Sequence, residues 1–378
     1  MAVTAVEVGL DDRGCRLITG RAAPLTLSTG WLQRHDEGPD GLDPRTGQRR
    51  IVQFDDGVTA NGVEVTAGRL VVSWSDGRHT RYSLSTLTAV AADARRPPGS
   101  AAPPDPRVGG GRRRLWSRPV DDLEPLDVGD AGGEQSWCAE LLGRLDRLGW
   151  AVIDGVPPGV DGVSALVGPL GYVRRTVFGE VWELEDGLVD HADSAYDNTF
   201  LGPHTDGTYS HDAPGLQVFV CQERSGSGGA SLLVDGFAAA AALTARSPGG
   251  AGLLAAVDVP CRYVEPGVSL RAERPVLRVD HAGRLVQVSY NPYDRAPFAF
   301  TDPDAWDRFD SAYRELGSIL DDRDRWQMVE WRPRRALVLD NWRVLHGRET
   351  FDGTRRFLGA YTNHEDFESA LRLAEPAG

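Results

Sequence analysis

The stretch from residue 95 to residue 114 constrains this chain most. It opens Arg95-Arg96-Pro97-Pro98-Gly99, passes through Pro103-Pro104-Asp105-Pro106 and closes Gly109-Gly110-Gly111-Arg112-Arg113-Arg114. Proline removes a backbone donor and glycine carries the largest entropy loss on ordering, so a run this rich in both has linker composition and forms no element. It divides 378 residues into two parts, 1–94 and 115–378, a length that suits a large domain with a small companion.

The first part reads as short strands. Ile51-Val52-Gln53-Phe54 is one. Leu70–Trp74 and Thr80–Leu84 flank Asp76-Gly77, a hairpin signal, so 1–94 is expected to be a small antiparallel β domain. The second part begins with a helix over 134–148, where Trp137, Leu141, Leu145 and Leu148 share a face and Gly149 follows. Strands are predicted at 150–153, 216–221, 231–235, 276–279, 284–290, 336–340 and 357–361. Asp302-Pro303 starts a second helix with Trp306, Phe309, Tyr313 and Leu316 on its buried side. The Ala-rich run 238–245 reads as a short surface helix. Many strands with few helices give a mainly β fold, a sandwich or jelly roll.

Several function classes are excluded at once. The net charge of -14 disfavours nucleic acid and anionic membranes. All basic residues are Arg and none is Lys, which removes Schiff-base and P-loop lysine chemistry. Cys15, Cys138, Cys221 and Cys261 form no CxxC pair, so a thiolate zinc site is not expected. The N-terminus lacks a signal-peptide pattern and no apolar run reaches membrane-spanning length, which makes the cytoplasm the expected compartment.

The chemistry is carried by His-x-Asp. Alternate residues of a strand point the same way, so this pattern can present two ligands to one ion. With a distal His it makes the two-His, one-carboxylate set that suits non-haem Fe(II) and leaves positions open. The pattern alone is weak, since it occurs as His191-Ala192-Asp193, His204-Thr205-Asp206 and His364-Glu365-Asp366. Context selects the second. His204 and Asp206 precede the apolar strand 216–221, and much later Ala336–Asp340 leads to His346, which a jelly roll can bring alongside. Arg355, nine residues further, can meet a carboxylate bidentately, and Ser231 could add a hydroxyl. His364 lies near the C-terminus with no later His, and His191 sits in an acidic stretch.

Leu201–Asp206, Leu233–Phe237, Tyr290–Ala296 and Asp340–Glu349 together resemble the γ-butyrobetaine/trimethyllysine dioxygenase family. Asp193-Ser194-Ala195-Tyr196 and the Tyr-Asn-x-Tyr-Asp-Arg-Ala segment resemble its trimethyllysine branch. The likeness extends through Trp31-Leu32 and Trp74–Gly77 to nearly the whole chain. It implies a double-stranded β-helix core with flanking helices, Fe(II), 2-oxoglutarate and O₂ as co-substrates, ascorbate as an assistant, and a homodimer. It implies His204, Asp206 and His346 as metal ligands and catalytic centre, Arg355 and Ser231 at the 2-oxoglutarate, and an aromatic cage of Phe178, Trp182 and Tyr196 for a quaternary ammonium. Phe178 stands where the family usually has Tyr. Asp193, where butyrobetaine enzymes have Asn, implies a substrate ammonium, and Asn291 a second polar contact.

One departure is clear. Family members carry a cysteine cluster after Trp-Leu, with a later His, that binds structural zinc. Here the region reads His35–Gly41 and Arg78 stands in the His position, so the N-terminal domain is expected to hold no zinc. The implied activity is hydroxylation of an unactivated C–H bond, with Nε-trimethyllysine at C3 preferred. Another amino acid or amine, or γ-butyrobetaine, is the alternative, and a catalytically silent β-domain binding module is the non-enzyme reading. Related halogenases replace the carboxylate with a small residue, so Asp206 favours hydroxylation.

Overall fold

The computed structural model describes residues 6–11, 14–19, 24–55, 57–99, 102–105, 113–121, 123–128, 134–185 and 197–374. Two sheets form the centre. The larger has six strands in the order Leu126–Asp127, Trp150–Asp154, Ala336–Asp340, Leu216–Arg224, Arg355–Thr362, Trp182–Glu185. The smaller has four, in the order Leu201–His204, Val344–Arg348, Ser231–Asp235, Gln327–Val329. Strands distant in sequence lie side by side in both, which is the jelly-roll arrangement. Leu216–Cys221, Ala336–Asp340 and Ser231–Asp235 are buried on both faces because helices cover the outside and the opposing sheet covers the inside.

Packing holds the strands at specific contacts. Gly359 lies directly opposite Trp182 across the strand pair, and a Cβ there would stand 2.0 Å from the indole. Only glycine lets that ring lie flat on its neighbour strand.

The predicted helix 134–148 is present, and Gly149 follows it at φ +83°. The helix Pro303–Leu320 starts at Asp302, whose side chain accepts from the Asp304 amide as its N-cap. The Ala-rich run lies in the helix Gly236–Arg246. It is only partly on the surface: Phe237, Ala238, Ala239, Ala240 and Leu243 are buried, since small side chains let neighbouring elements approach closely, while Ala245 is exposed.

In the N-terminal part, Arg69–Trp74 and His79–Ser83 form the expected hairpin, with Gly77 at φ +87°. Ile51–Phe54 forms no strand. Ile51 is exposed, and the carbonyls of Val52 and Gln53 accept from Arg34 and Arg78 in place of a neighbouring strand. Where the resemblance places a zinc cluster, carboxylates and rings tie the segment down. Asp36 accepts from the amides of Gly38 and Arg81, Glu37 accepts from Ser83 and Thr86, and Arg78 lies over Phe54 at 3.9 Å. His35 stacks on Trp31 at 4.3 Å.

The N-terminal core runs on into the helix Pro303–Leu320 as one apolar cluster, and Trp31 donates its indole N–H to the Phe298 carbonyl. Part of the predicted linker is docked as well. The Arg95 amide donates to Ala299 and that of Asp105 to Gly283. Composition does not reveal such single backbone contacts.

His364 begins the helix His364–Ala374 and is buried, stacked on Trp342 at 4.1 Å and 7°. Burial alone would depress the imidazole, but Asp340 at 3.7 Å and Glu368 at 3.5 Å lift it to about 9. A histidine raised in the folded state adds stability that is complete below its ordinary pKa of ~6.5 and lost as pH rises through the raised value. The Tm is therefore expected to fall by roughly a few degrees between pH 6.5 and 9. His364→Gln should flatten that part of the curve. An unchanged slope would show that another group carries it.

Candidate metal centre and co-substrate pocket

His204 ends the strand Leu201–His204 and His346 is its direct partner on Val344–Arg348. Antiparallel pairing thus sets the two imidazoles on one face, with ring centroids 4.5 Å apart. Asp206 follows two residues on. Its Oδ1 lies 3.4 Å from His204 Nε2 and its Oδ2 3.8 Å from His346 Nε2. Ligand atoms of all three fall within 4.8 Å of one another, the only such cluster among the described residues. The His204 Nδ1–H donates to the Gly202 carbonyl at 2.9 Å, which leaves Nε2 for an ion. Burial raises the Asp206 carboxyl, but His346 and His204 outweigh it and hold the pKa below the usual carboxylate range. Burial pushes His346 down to about 4. His204 is raised despite its burial, because Asp206 is beside it. An ionised carboxylate and two imidazoles are the donor set that suits non-haem Fe(II).

Groups the sequence reading passed over hold Asp206. Gln217 Nε2 donates to its Oδ2 at 2.7 Å and Tyr361 Oη at 2.8 Å. The Asn341 side chain brackets its backbone, accepting from the Asp206 amide and donating to its carbonyl. Losing an outer partner of a metal ligand typically weakens metal affinity ~10–100-fold. Tyr361→Phe is expected to lie at the low end, about 10-fold, because Gln217 remains. Competition with a chelator measures it, and unchanged affinity would remove Tyr361 from this role.

Arg355 opens the strand Arg355–Thr362 and Ser231 opens Ser231–Asp235, so the two sheets each supply one side of the pocket. Arg355 is 7 % exposed, and no carboxylate among the described residues lies within ion-pair distance of it. Its guanidinium sits 4.2 Å from the Phe357 ring centroid, and its Nε has no hydrogen-bond partner. Burial, then the neighbouring Arg348, depress it to about 9. A buried cation in this condition needs an anion. Ser231 Oγ accepts from Trp331 Nε1 at 3.0 Å, which directs its own O–H elsewhere. Trp331 also escaped the sequence reading.

Phe178 and Trp182 both line the same pocket. Trp182 packs edge-on to Phe219 at 5.3 Å and Phe178 edge-on to Tyr263 at 5.6 Å. Tyr196, Asp193 and His191 lie outside the described residues. Tyr209, Tyr293 and Tyr361 extend the aromatic wall. Asn291 lines the pocket, but its amide is engaged. Its Oδ1 accepts from the amides of Tyr293 and Asp294, and its Nδ2 donates to Asp294 Oδ2 at 2.8 Å. Asp294 in turn accepts from Gln48, which reaches in from the N-terminal part. The third His-x-Asp supplies no ligand: His364 is taken by Trp342, Asp340 and Glu368.

A family model described as taurine catabolism dioxygenase TauD, TfdA family matches residues 122–361. The chain is 30% identical over 353 residues to the mitochondrial trimethyllysine dioxygenase of Gallus gallus, covering 91% of this chain and 82% of that protein. It is 34% identical over 243 residues to the trimethyllysine dioxygenase of Meyerozyma guilliermondii, covering 63% and 60%. Among solved structures it is similar in fold to an asparagine oxygenase in complex with Fe(II), 2S,3S-3-hydroxyasparagine and succinate. That match has a TM-score of 0.50 and 16% identity, and covers 61% of this chain and 80% of the other.

Proposed function

The chain belongs to the TauD/TfdA dioxygenase family, and from that membership we propose that it hydroxylates Nε-trimethyllysine at C3 with Fe(II) and 2-oxoglutarate. The observation that carries the reading is the convergence in one pocket of three ligand atoms and a buried, carboxylate-less Arg355. A metal without a nearby cation would leave a dicarboxylate half-bound, and a cation without the metal would leave no oxidant.

His204, Asp206 and His346 would hold the iron, which supplies the oxidising chemistry when bound together with 2-oxoglutarate and O₂. The rest is done by the protein's own groups. Arg355 pairs with the distal carboxylate of 2-oxoglutarate, and Ser231, aimed by Trp331, donates to it. Gln217 and Tyr361 fix which way Asp206 faces. Leu201 and Phe219 line the pocket with apolar surface that excludes water. Phe178 and Trp182 present ring faces to the substrate's quaternary ammonium, worth ~0.5–2 kcal/mol per ring. The lost hydroxyl at Phe178 removes one polar contact but keeps the ring. Asp193 and Tyr196 complete the substrate set in this reading. Asn291 enters it as the residue that shapes the Tyr290–Ala296 turn.

Succinate release on a panel of trimethyllysine, lysine and γ-butyrobetaine tests the reading. Trimethyllysine is expected to turn over best. Preference for γ-butyrobetaine would overturn the assignment, and turnover of none with iron bound would point to another amine. The same reading includes a cytoplasmic homodimer, which light scattering tests in its dimeric part. Among the described residues no helix is long and apolar enough to cross a membrane.

A further inference from the structure

A second cavity, about 320 Å³, lies where the N-terminal part meets the helix Pro303–Leu320. Arg34, Arg49, Arg50, Arg295 and Arg314 line it, with Asp36, Asp310 and Asp321. The charges do not cancel. Asp310 is shared by Arg34 at 3.7 Å and Arg314 at 3.0 Å. Arg50 pairs with Asp43. Asp36 is spent on the amides of Gly38 and Arg81, and Asp321, which also lines the cavity, is within ion-pair distance of no arginine among the described residues. That leaves Arg49 and Arg295, each 7 % exposed, with no carboxylate within ion-pair distance among the described residues.

Arg49 is held only by carbonyls, donating to Arg295 O at 2.8 Å and Arg34 O at 3.2 Å. Arg295 lies over the Tyr313 ring at 4.6 Å and near Trp306 at 5.7 Å, and its Nε and Nη1 have no hydrogen-bond partner. Burial and the adjacent Arg295 bring Arg49 down to about 9. His35, against the same arginines, is held well below the ordinary imidazole value by burial, then by Arg49 and Arg295.

Arg295 repeats the condition of Arg355: a buried guanidinium, an aromatic face, an arginine neighbour, an orphaned N–H and no carboxylate. Two like charges cannot be buried side by side without an anion, or without a large loss of stability. We propose that the Arg49–Arg295 cavity is a second anion site, taking a small oxyanion of phosphate or dicarboxylate size. The site touches the candidate active site through adjacent residues. Gln48 and Asp294 line the one pocket while Arg49 and Arg295 line the other, and the Arg49 amide donates to the Tyr293 carbonyl. An anion seated here would therefore steady the segment that forms one wall of the substrate pocket.

Thermal unfolding of the full chain tests the proposal, in a buffer free of phosphate and carboxylates. Inorganic phosphate and succinate are titrated separately against potassium chloride of equal ionic strength. A ligand that binds only the folded state at about 100 times its Kd should raise Tm by roughly 3 °C or more, saturably. The rise with at least one of the two anions should persist in Arg355→Gln, which removes the other anion position, and vanish in Arg295→Gln. Should Arg295→Gln not fold, Ser318→Glu serves instead. Ser318 is exposed at the rim, and a carboxylate there should weaken the anion at least 10-fold. Phosphate against succinate distinguishes the two sources. Shifts no larger than those of chloride, shifts lost in Arg355→Gln, or shifts kept at full size in the cavity variants would each overturn the site.

Discussion

Arg355→Gln should raise the KM for 2-oxoglutarate by about 30- to 4000-fold. Removing one partner of a buried, hydrogen-bonded charge pair costs ~2–5 kcal/mol or more, which converts to that range. The KM for the amine substrate should move far less, because in the proposed reading Phe178 and Trp182 face the amine and Arg355 faces the 2-oxoglutarate carboxylate. The same variant should lose no stability. The free chain buries this cation without a carboxylate, so a neutral amide relieves a desolvation penalty, and Tm should hold or rise. A KM for 2-oxoglutarate within about fivefold of wild type, or a matching rise for the amine, would show that Arg355 does not anchor the co-substrate.

Asp206→Ala should abolish turnover and iron retention together, by more than the ~100-fold that loss of an outer partner produces. The variant leaves two imidazoles facing a gap. It also strips Gln217 Nε2 and Tyr361 Oη of their acceptor, at roughly 1–3 kcal/mol, so a modest fall in Tm is expected alongside. Iron content after anaerobic loading separates the effects. A folded variant that keeps its iron but is inactive would assign Asp206 a role other than ligation.

The meeting of His204, Asp206 and His346 was legible because strand geometry imposes it. A His-x-Asp at a strand end and a distal His after an apolar strand can meet only if those strands pair, and His204 does face His346 in register. The place of Arg355 at the head of an apolar strand was legible too. The supporting groups were harder to read. Gln217 did leave a signal, as a polar residue inside the apolar strand Leu216–Cys221, where a buried amide must have a partner. Tyr361 and Trp331 left none, since an aromatic in a β-rich chain is ordinarily core. His364 looked like a polar-tail residue but is buried, because its partners Trp342 and Asp340 come from a distant turn. Ile51–Phe54 had strand composition, yet its carbonyls were claimed by two arginines. The shared core of the N-terminal part and the helix Pro303–Leu320 was invisible for the same reason: long-range packing leaves no local pattern.

The decisive measurement is the mass of trimethyllysine after incubation with the full chain, Fe(II), 2-oxoglutarate and air. Hydroxylation should add one oxygen atom, matched by one succinate per product and absent in Asp206→Ala. An unchanged mass with iron bound, or succinate released without any oxygenated amine, would contradict it.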